Sequence, residues 1–249
     1  MKTIFLGDIH GRTIWKQIVE KEQDADRIIF VGDYFDSPDI SGVEQLHNFL
    51  EIVNFKKNSN KEVVLLFGNH DYHYMPGYTA NGYSGYQAGL AYQFRDAINS
   101  NLDHFRMAYT FDDILCSHAG ISYVWLKREF NPENDESSYN WSIENIQGIV
   151  DMINDCFVYT PRIFNFNGLD PYGDDVYQTP IWIRPKSLQK ANSKTLKNKV
   201  IQIVGHTSQN EIDIKGKTTG GRYFYIDCLN KGIYLIHEND KFSMGQVND

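Results

Sequence analysis

The chain has 249 residues, a length that corresponds to one large domain or two small ones. Hydrophobic residues make up 41% of the chain and charged residues 22%, so it can bury a core without disulfides or structural metals. The net charge is −8, since 32 acidic residues stand against 24 basic ones, and this balance disfavours a non-specific nucleic-acid binder.

The cysteines and the apolar runs indicate the compartment. Cys116, Cys156 and Cys228 form no C-x-x-C pair, which argues against a disulfide framework and for a reducing environment. The longest apolar run, residues 63–67, is far shorter than the roughly 20 residues that span a bilayer. The N-terminal apolar run is too short for a signal peptide. We therefore expect a soluble cytoplasmic protein without a membrane partner.

Apolar β-rich runs alternate with stretches of helical spacing in the first part of the chain. Strands are predicted at residues 3–6, 27–31 and 62–67. Helices are predicted over residues 12–23 and from Ser41, where Glu44 would complete a capping box. This strand–helix–strand alternation predicts βαβ units in a partly parallel sheet, and therefore an α/β fold.

The later part of the chain is less regular. A Tyr- and Gly-rich loop leads to a predicted helix from Gly85, and residues 114–117 form a fourth strand. Residues 121–199, with a helix at 143–157, are interpreted as an insertion or cap within a single domain that covers residues 1–249. From residue 200, strands at 200–204, 222–228 and 232–237 predict an antiparallel meander.

Five of the predicted strands end in short polar motifs built around glycine. They are Gly7-Asp8-Ile9-His10-Gly11, Gly32-Asp33-Tyr34-Phe35-Asp36, Gly68-Asn69-His70-Asp71, Ser117-His118-Ala119-Gly120 and Gly205-His206-Thr207. Carboxyl ends of strands meet at one edge of an α/β sheet, where such folds place ligand sites. Aspartate, asparagine and histidine without thiolates suit Mn, Fe, Zn or Ni. The donors exceed the needs of one tetrahedral ion, which indicates two ions that share a carboxylate, roughly 3.5–4 Å apart.

The five motifs, in this order, resemble those of the calcineurin-like metallophosphoesterase family, over residues 3 to about 120 and 200–237. The resemblance implies a β-sandwich of mixed sheets flanked by helices. It also implies a dimetal phosphoester hydrolase that uses a metal-bridging hydroxide for in-line attack. By position it implies that Asp8 and His10 bind the first metal and that Asp33 bridges both metals. It implies in the same way that Asn69, His118 and His206 bind the second metal.

The resemblance also implies a general acid. His70 would protonate the leaving oxygen, with Asp36 orienting its ring. His73, close to the same motif, is a further candidate to reach the substrate.

Two departures from the family pattern bear on the substrate. His206 is not followed by the second histidine of a G-H-x-H motif, which is typical of the phosphoprotein-phosphatase-like branch. That branch includes bacterial and phage protein phosphatases and diadenosine tetraphosphate hydrolases. Ser37 stands where the branch usually has a phosphate-binding arginine. Arg184, in a W-x-R segment, and Asn69 are then the candidates that bind phosphate, with Arg12 as an alternative.

We predict a phosphomonoesterase that acts on a phosphoprotein or a small phosphorylated metabolite. Its cofactors would be two divalent ions, with Mn²⁺ preferred and Fe, Zn or Ni still open. One alternative is a dinucleoside polyphosphate or nucleotide phosphohydrolase or a phosphodiesterase. Tyrosines between residues 72 and 92 would favour it if they stack on a nucleobase, and would have a structural role if they pack against the core. Another is a non-catalytic binding scaffold, against which the complete ligand set argues. The oligomeric state stays open.

Overall fold

A computed structural model describes residues 1–75, 84–130, 141–167, 170 and 172–247. The strands are β1 (Lys2–Leu6), β2 (Arg27–Phe30), β3 (Glu62–Leu66), β4 (Phe105–Arg106), β5 (Ala108–Phe111), β6 (Ile114–Ser117), β7 (Ile201–Val204), β8 (Tyr223–Tyr225), β9 (Ile233–Glu238) and β10 (Lys241–Gln246). The helices are α1 (Trp15–Lys21), α2 (Gly42–Asn58), α3 (Asn69–Tyr72), α4 (Ala91–Asn99), α5 (Tyr123–Glu129), α6 (Ile146–Tyr159) and α7 (Pro185–Asn192). Short 3-10 turns occupy Ala88–Leu90, Leu102–His104, Pro161–Phe164, Leu196–Asn198 and Leu229–Lys231.

The strands form two mixed sheets. One has the order β10-β9-β1-β2-β3-β4, with parallel pairing from β1 through β4 and antiparallel pairing of β9 with β1 and β10. The other has the order β5-β6-β7-β8, in which only the β5–β6 pair is antiparallel. Leu6 pairs with Phe30 and Phe30 with Leu65, so β1, β2 and β3 end level with one another. The residues that follow these strands therefore emerge at one edge.

Alternating side chains of β1 and β2 build two separate cores. Phe5 and Ile29 face the second sheet and pack with Cys116 and Ile203. Ile4, Leu6, Ile28 and Phe30 face the opposite way and pack with α1, α2 and α4. Both faces of the strands are buried, as continuous apolar runs predict for a covered parallel sheet. The predicted sandwich of mixed sheets flanked by helices is confirmed.

Several of the predicted elements are confirmed with small shifts at their ends. Helix α2 has Ser41 as its N-cap, and the reciprocal bonds with Glu44 form the predicted capping box. The helix expected from Gly85 begins as a 3-10 turn at Ala88 and continues as α4. The cysteines Cys116, Cys156 and Cys228 are free and buried.

The antiparallel meander predicted from residue 200 is wrong. Strands β7 and β8 pair in parallel within the second sheet, and β9 crosses to the first sheet, where it forms a hairpin with β10. A parallel pair needs a crossover of a dozen or more residues. Residues 205–222 provide this crossover without a helix, so the sequence carries no helical signal that would have marked it.

The segment 121–199 shares its core with the rest of the chain. Ile149 and Ile153 of α6 belong to the same apolar cluster as the strands of the first sheet, and Leu188 of α7 packs with Ala119 and Tyr223. These contacts support our description of the segment as an insertion in a single domain, which stays a proposal. No helix in the described part of the chain combines the length and the apolar character that a bilayer span requires.

Candidate active site

Every predicted site residue of the five motifs lies directly after a strand. Asp8 and His10 follow β1, Asp33 and Asp36 follow β2, and Asn69 and His70 begin α3 just after β3. His118 follows β6 and His206 follows β7. The two sheets thus present their carboxyl ends on the same side, and eight predicted residues converge there.

The backbone at this edge is held in sparsely populated conformations. Seven non-glycine residues of the described chain have positive φ, and four of them are His10 (42°), Asp33 (52°), Asp36 (64°) and His206 (65°). Such residues cost about 1–3 kcal/mol each and persist only where their surroundings fix them. Strain of this kind concentrates at sites where side-chain direction matters more than local stability.

Asp71 fixes the strained turn after β2. Its buried carboxylate accepts hydrogen bonds from the backbone N–H groups of Asp33 at 2.9 Å, Tyr34 at 2.7 Å and Gly68 at 2.9 Å. Burial and the neighbouring Asp33 raise the pKa of Asp71 to about 7, and the backbone donors of Gly68 and Tyr34 oppose this rise by stabilising the carboxylate. The position of the Asp33 side chain is therefore fixed by the buried, hydrogen-bonded carboxylate of Asp71.

The predicted ligands form two donor groups that share one carboxylate. Within each group the ligand atoms lie within 4.8 Å of one another, and the groups are Asp8 with His10 and Asp33, and Asp33 with His118 and His206. The Asn69 side-chain oxygen lies 3.0 Å from His118 Nε2 and 2.9 Å from His206 Nδ1. The structure thus brings all six predicted ligands together, with Asp33 between the two groups.

Each predicted histidine ligand has one ring nitrogen at a backbone carbonyl oxygen. The pairs are His10 Nδ1 with Phe35 at 2.6 Å, His118 Nδ1 with Val31 at 2.8 Å, and His206 Nε2 with Trp182 at 3.0 Å. A nitrogen that donates to a carbonyl carries the proton, which leaves the lone pair on the other nitrogen. Metal-binding histidines are oriented by outer partners of this type.

The charges at this edge fit divalent cations. Burial and the neighbouring Asp227 raise the pKa of Asp8 well above its usual range. Burial and Asp33 raise the pKa of Asp227 to about 6. Burial also opposes ionisation of Asp33, but the histidines around it, His118 and His70 foremost, together hold the pKa of Asp33 well below the usual range. Buried carboxylates that repel one another are stabilised by cations, so the donor set suits a pair of metal ions.

Asp227 was not among the residues predicted from the sequence. It follows β8 and lies beside Gly7 of the first motif. A Cβ atom added to Gly7 would lie only 3.2 Å from the Asp227 Cα. The predicted strand ran through this residue to Cys228, which hid the strand end. The signal was present, since a carboxylate follows an apolar run here as it does after β1 and β2.

His70 and Asp36 form a side-chain pair next to the metal ligands. His70 Nδ1 lies 2.9 Å from Asp36 Oδ2, and the His70 backbone N–H donates to Asp33 Oδ1 at 2.9 Å. Burial alone would lower the pKa of His70, but Asp33 and Asp36 outweigh it and raise the pKa to about 9. Both carboxylates thus favour the protonated imidazole, which is the form that a proton donor needs.

His73 does not reach towards the substrate side of the site. Its side chain is buried, and its Nε2 lies 2.6 Å from Asp36 Oδ2. Tyr72 and Tyr74 are buried as well, and Tyr74 packs against Phe94, which favours core packing over nucleobase stacking for both tyrosines. Tyr78 and Tyr83 lie outside the described residues.

Arg184 lies beside the second donor group. Its Nη1 donates to the His206 carbonyl oxygen at 3.0 Å and to Thr207 Oγ1 at 3.1 Å, and its Nε donates to the Tyr172 carbonyl oxygen at 2.7 Å. No carboxylate among the described residues forms an ion pair with it, so an ordinary surface ion pair does not explain its position. Arg12 instead pairs with Asp39 at 3.3 Å.

The profile of the calcineurin-like phosphoesterase family matches residues 1–225 of the chain. The chain belongs to this family. It is a metal-dependent phosphoesterase, a hydrolase of phosphoester bonds. No curated protein matches the chain.

Solved structures share the fold. A cold-active protein-tyrosine phosphatase of the psychrophile Shewanella sp. has a TM-score of 0.63 and 20% identity, over 98% of this chain and 77% of that one. A protein serine/threonine phosphatase from Saccharomyces cerevisiae, with similarity to human phosphatase PP5, has a TM-score of 0.53 and 12% identity, over 100% and 80% of the two chains. The predicted metallophosphoesterase fold is thus confirmed, and the family match confirms the predicted enzyme class.

Proposed function

We propose that this phosphoesterase is a phosphomonoesterase that acts on a phosphoprotein or a small phosphorylated metabolite. The observation that supports it most directly is the position of Asp33. Its carboxylate belongs to both donor groups, and its Oδ1 accepts the backbone N–H of His70, the proposed acid. Asp33 therefore contacts both the proposed metal ligands and the proposed acid.

The two donor groups would hold two divalent ions. Asp8, His10 and Asp33 would bind the first ion, and Asp33, Asn69, His118 and His206 would bind the second. Bound ions supply Lewis acidity towards phosphoryl oxygens and lower the pKa of a coordinated water. The mixed oxygen and nitrogen donors favour Mn²⁺, with Fe, Zn and Ni as the other ions that suit them.

His70 would supply the proton that the leaving group needs. As the P–O bond breaks, the electron pair goes to the leaving oxygen and the proton moves to it from His70 Nε2. Asp36 holds the opposite nitrogen, Nδ1, at 2.9 Å and stabilises the protonated ring beforehand. Proton transfer by a positioned side chain contributes typically about 10²–10⁴-fold to the rate.

Arg184 and Asn69 would orient the phosphate. Two bonds fix Arg184 Nη1 against the residues of the last motif, so the guanidinium is positioned without a substrate. A fixed cation beside the phosphate favours the dianion of a monoester over the monoanion of a diester. Ser37 provides no cation at the position of the usual second arginine. The preference for monoesters therefore depends on Arg184.

A nucleotide or dinucleoside polyphosphate is the second candidate substrate. Tyr172, whose carbonyl oxygen accepts from Arg184, has a 77% exposed side chain. An exposed tyrosine close in sequence and backbone contact to the proposed phosphate-binding arginine could stack on a nucleobase. A non-catalytic scaffold is less well supported, because every predicted ligand and the proposed acid converge. The free, buried cysteines support our proposal of a cytoplasmic location.

Parallel assays on para-nitrophenyl phosphate and bis(para-nitrophenyl) phosphate with Mn²⁺ test the proposed substrate class. Asp33→Asn, prepared in the same way, provides the blank. We expect the wild type to turn over the monoester and the variant not to do so. Phosphopeptides and nucleotides would then be compared as substrates. A preference for the diester would contradict the proposal and direct the search to phosphodiesters.

A further inference from the structure

The carboxylate of Asp36 contacts two further side chains besides that of the proposed acid. Its Oδ2 lies 2.9 Å from His70 Nδ1 and 2.6 Å from His73 Nε2, and its Oδ1 accepts the Tyr74 hydroxyl at 2.5 Å. Three polar groups from one short segment therefore converge on one side chain that is itself 6% exposed. A simple acid–carboxylate pair would need only the first of these bonds.

The ring of His73 lies against Asp36 and two tyrosines. Its ring lies edge-on to Tyr74, with centroids 4.4 Å apart, and to Tyr86, with centroids 5.0 Å apart. The interplanar angles are 79° and 81°, and the two tyrosines are themselves stacked with centroids 5.0 Å apart, so they pack side by side against the ring. The side chain is 1% exposed, and its Nε2 lies 2.6 Å from the oxygen that also binds His70.

The Tyr74 hydroxyl anchors the other carboxylate oxygen. It donates to Asp36 Oδ1 and accepts the backbone N–H of Gln87 at 2.8 Å. A carboxylate bound at both oxygens cannot rotate about its Cβ–Cγ bond without breaking at least two hydrogen bonds. Groups that are locked before the substrate arrives require little reorganisation during the reaction.

We propose that His73 is a positioning residue for catalysis, which holds the Asp36 carboxylate in the orientation that directs His70 towards the leaving group. This inference rests on the proposed function, since it needs His70 as the acid. His73 itself touches neither the phosphate nor the predicted metal ligands. Without this contact, Oδ2 keeps His70 as its single side-chain partner, and the direction of the His70 ring is no longer fixed.

Leaving-group dependence distinguishes this role from a structural one. Phenol, with a pKa of about 10, needs a proton as it leaves, whereas the more acidic 2,4-dinitrophenol departs as an anion. We expect His73→Phe to lower kcat for phenyl phosphate about 10-fold or more, with kcat for 2,4-dinitrophenyl phosphate and both KM values near those of the wild type. An equal loss of kcat on both substrates would overturn the proposal.

Two further variants control this experiment. His73→Gln keeps an N–H donor near the position of Nε2, so we expect it to restore most of the rate on phenyl phosphate. His237→Phe makes the same exchange in β9, where the ring packs between Phe111 and Phe242, away from the site. Failure of His73→Gln to recover any rate, with its metal content intact, would also count against a role through the N–H donor.

A measurement without substrate tests the same hydrogen bonds. In proton NMR spectra of the metal-free protein, ring N–H protons bound to a carboxylate resonate far downfield. We expect such signals from both His70 and His73, and we expect both to change in Asp36→Asn. A His73 signal that does not respond would overturn the proposal even if His73→Phe did not fold. If both signals respond but the wild type hydrolyses no monoester, the proposed function fails while the arrangement of donors stands.

Discussion

Gly205 lies so close to Asp8 that a larger residue at position 205 should disturb the proposed metal site. A Cβ at position 205 would lie 2.0 Å from Asp8 Oδ1 and 2.8 Å from Val31 Cγ2, where ordinary contacts of a Cβ exceed 3.0 Å. The backbone cannot easily retreat, because Gly205 N–H donates to the His118 carbonyl oxygen at 2.8 Å. In Gly205→Ala the Asp8 carboxylate must therefore move by about 1 Å, the difference between these distances.

A displacement of this size is large for a metal ligand. Ligand distances are held within about 0.2 Å in working sites, and Asp8 would also lose the two 3.0 Å hydrogen bonds from the His206 backbone N–H. We expect binding of the first ion to weaken at least about 100-fold, while the overpacked variant loses about 1–3 kcal/mol of stability. Monoester turnover should fall with the loss of this ion.

Calorimetric titration of the metal-free protein with Mn²⁺, together with elemental analysis, measures this effect. Gly89→Ala is the matched control, because a Cβ at position 89 meets nothing within 4 Å. The control should bind metal as the wild type does. If Gly205→Ala bound two ions with the wild-type affinity, the assignment of Asp8 as a ligand in this position would be wrong.

Four further predictions follow from the site. His70→Ala should lower kcat for a monoester by about 10²–10⁴-fold without loss of metal; unchanged turnover at saturating substrate would remove its role as the acid. Asp33 outweighs burial and raises the pKa of His118 to about 9, so at neutral pH metal must displace a proton. Metal affinity should therefore rise as the pH increases towards 9, and calorimetry in buffers with different ionisation enthalpies should detect proton release; binding without proton release argues against this coupling. Asp71→Asn places an amide N–H2 against one of the three backbone N–H groups, and urea unfolding should show a loss of about 1–3 kcal/mol; equal stability would be inconsistent with this support. Arg184→Lys should raise KM for a monoester about 10-fold or more with little change in metal content, and steady-state kinetics with an unchanged KM would exclude the phosphate contact.

The strand ends of the first sheet could be predicted because the sequence marks them twice. An apolar run such as residues 62–67 ends at Gly68, and polar side chains follow at once. The geometry of a parallel sheet then brings these ends together, so the convergence of Asp8, Asp33 and Asn69 needs no further information. The same reasoning applied to β6 and β7 gave His118 and His206.

Contacts between residues distant in the sequence could not be predicted in this way. The pairing of β7 with β8 depends on a crossover without a helix, and short strands such as β4 have too few residues to show a period. The carbonyl oxygens that orient the histidines belong to Val31, Phe35 and Trp182, whose side chains say nothing about this role. Asp227 and His73 lacked a motif of their own, although His73 follows one in the sequence and Asp227 packs against Gly7 of another.

The central claim is that two ions, joined through Asp33, are needed to hydrolyse a phosphomonoester. The direct test is to titrate the metal-free wild type with Mn²⁺ and record turnover of para-nitrophenyl phosphate at each ratio of metal to protein. We expect turnover to appear as the second ion binds, and we expect Asp33→Asn neither to retain two ions nor to turn over the monoester. Full activity with one ion per chain, or an active Asp33→Asn variant, would contradict it.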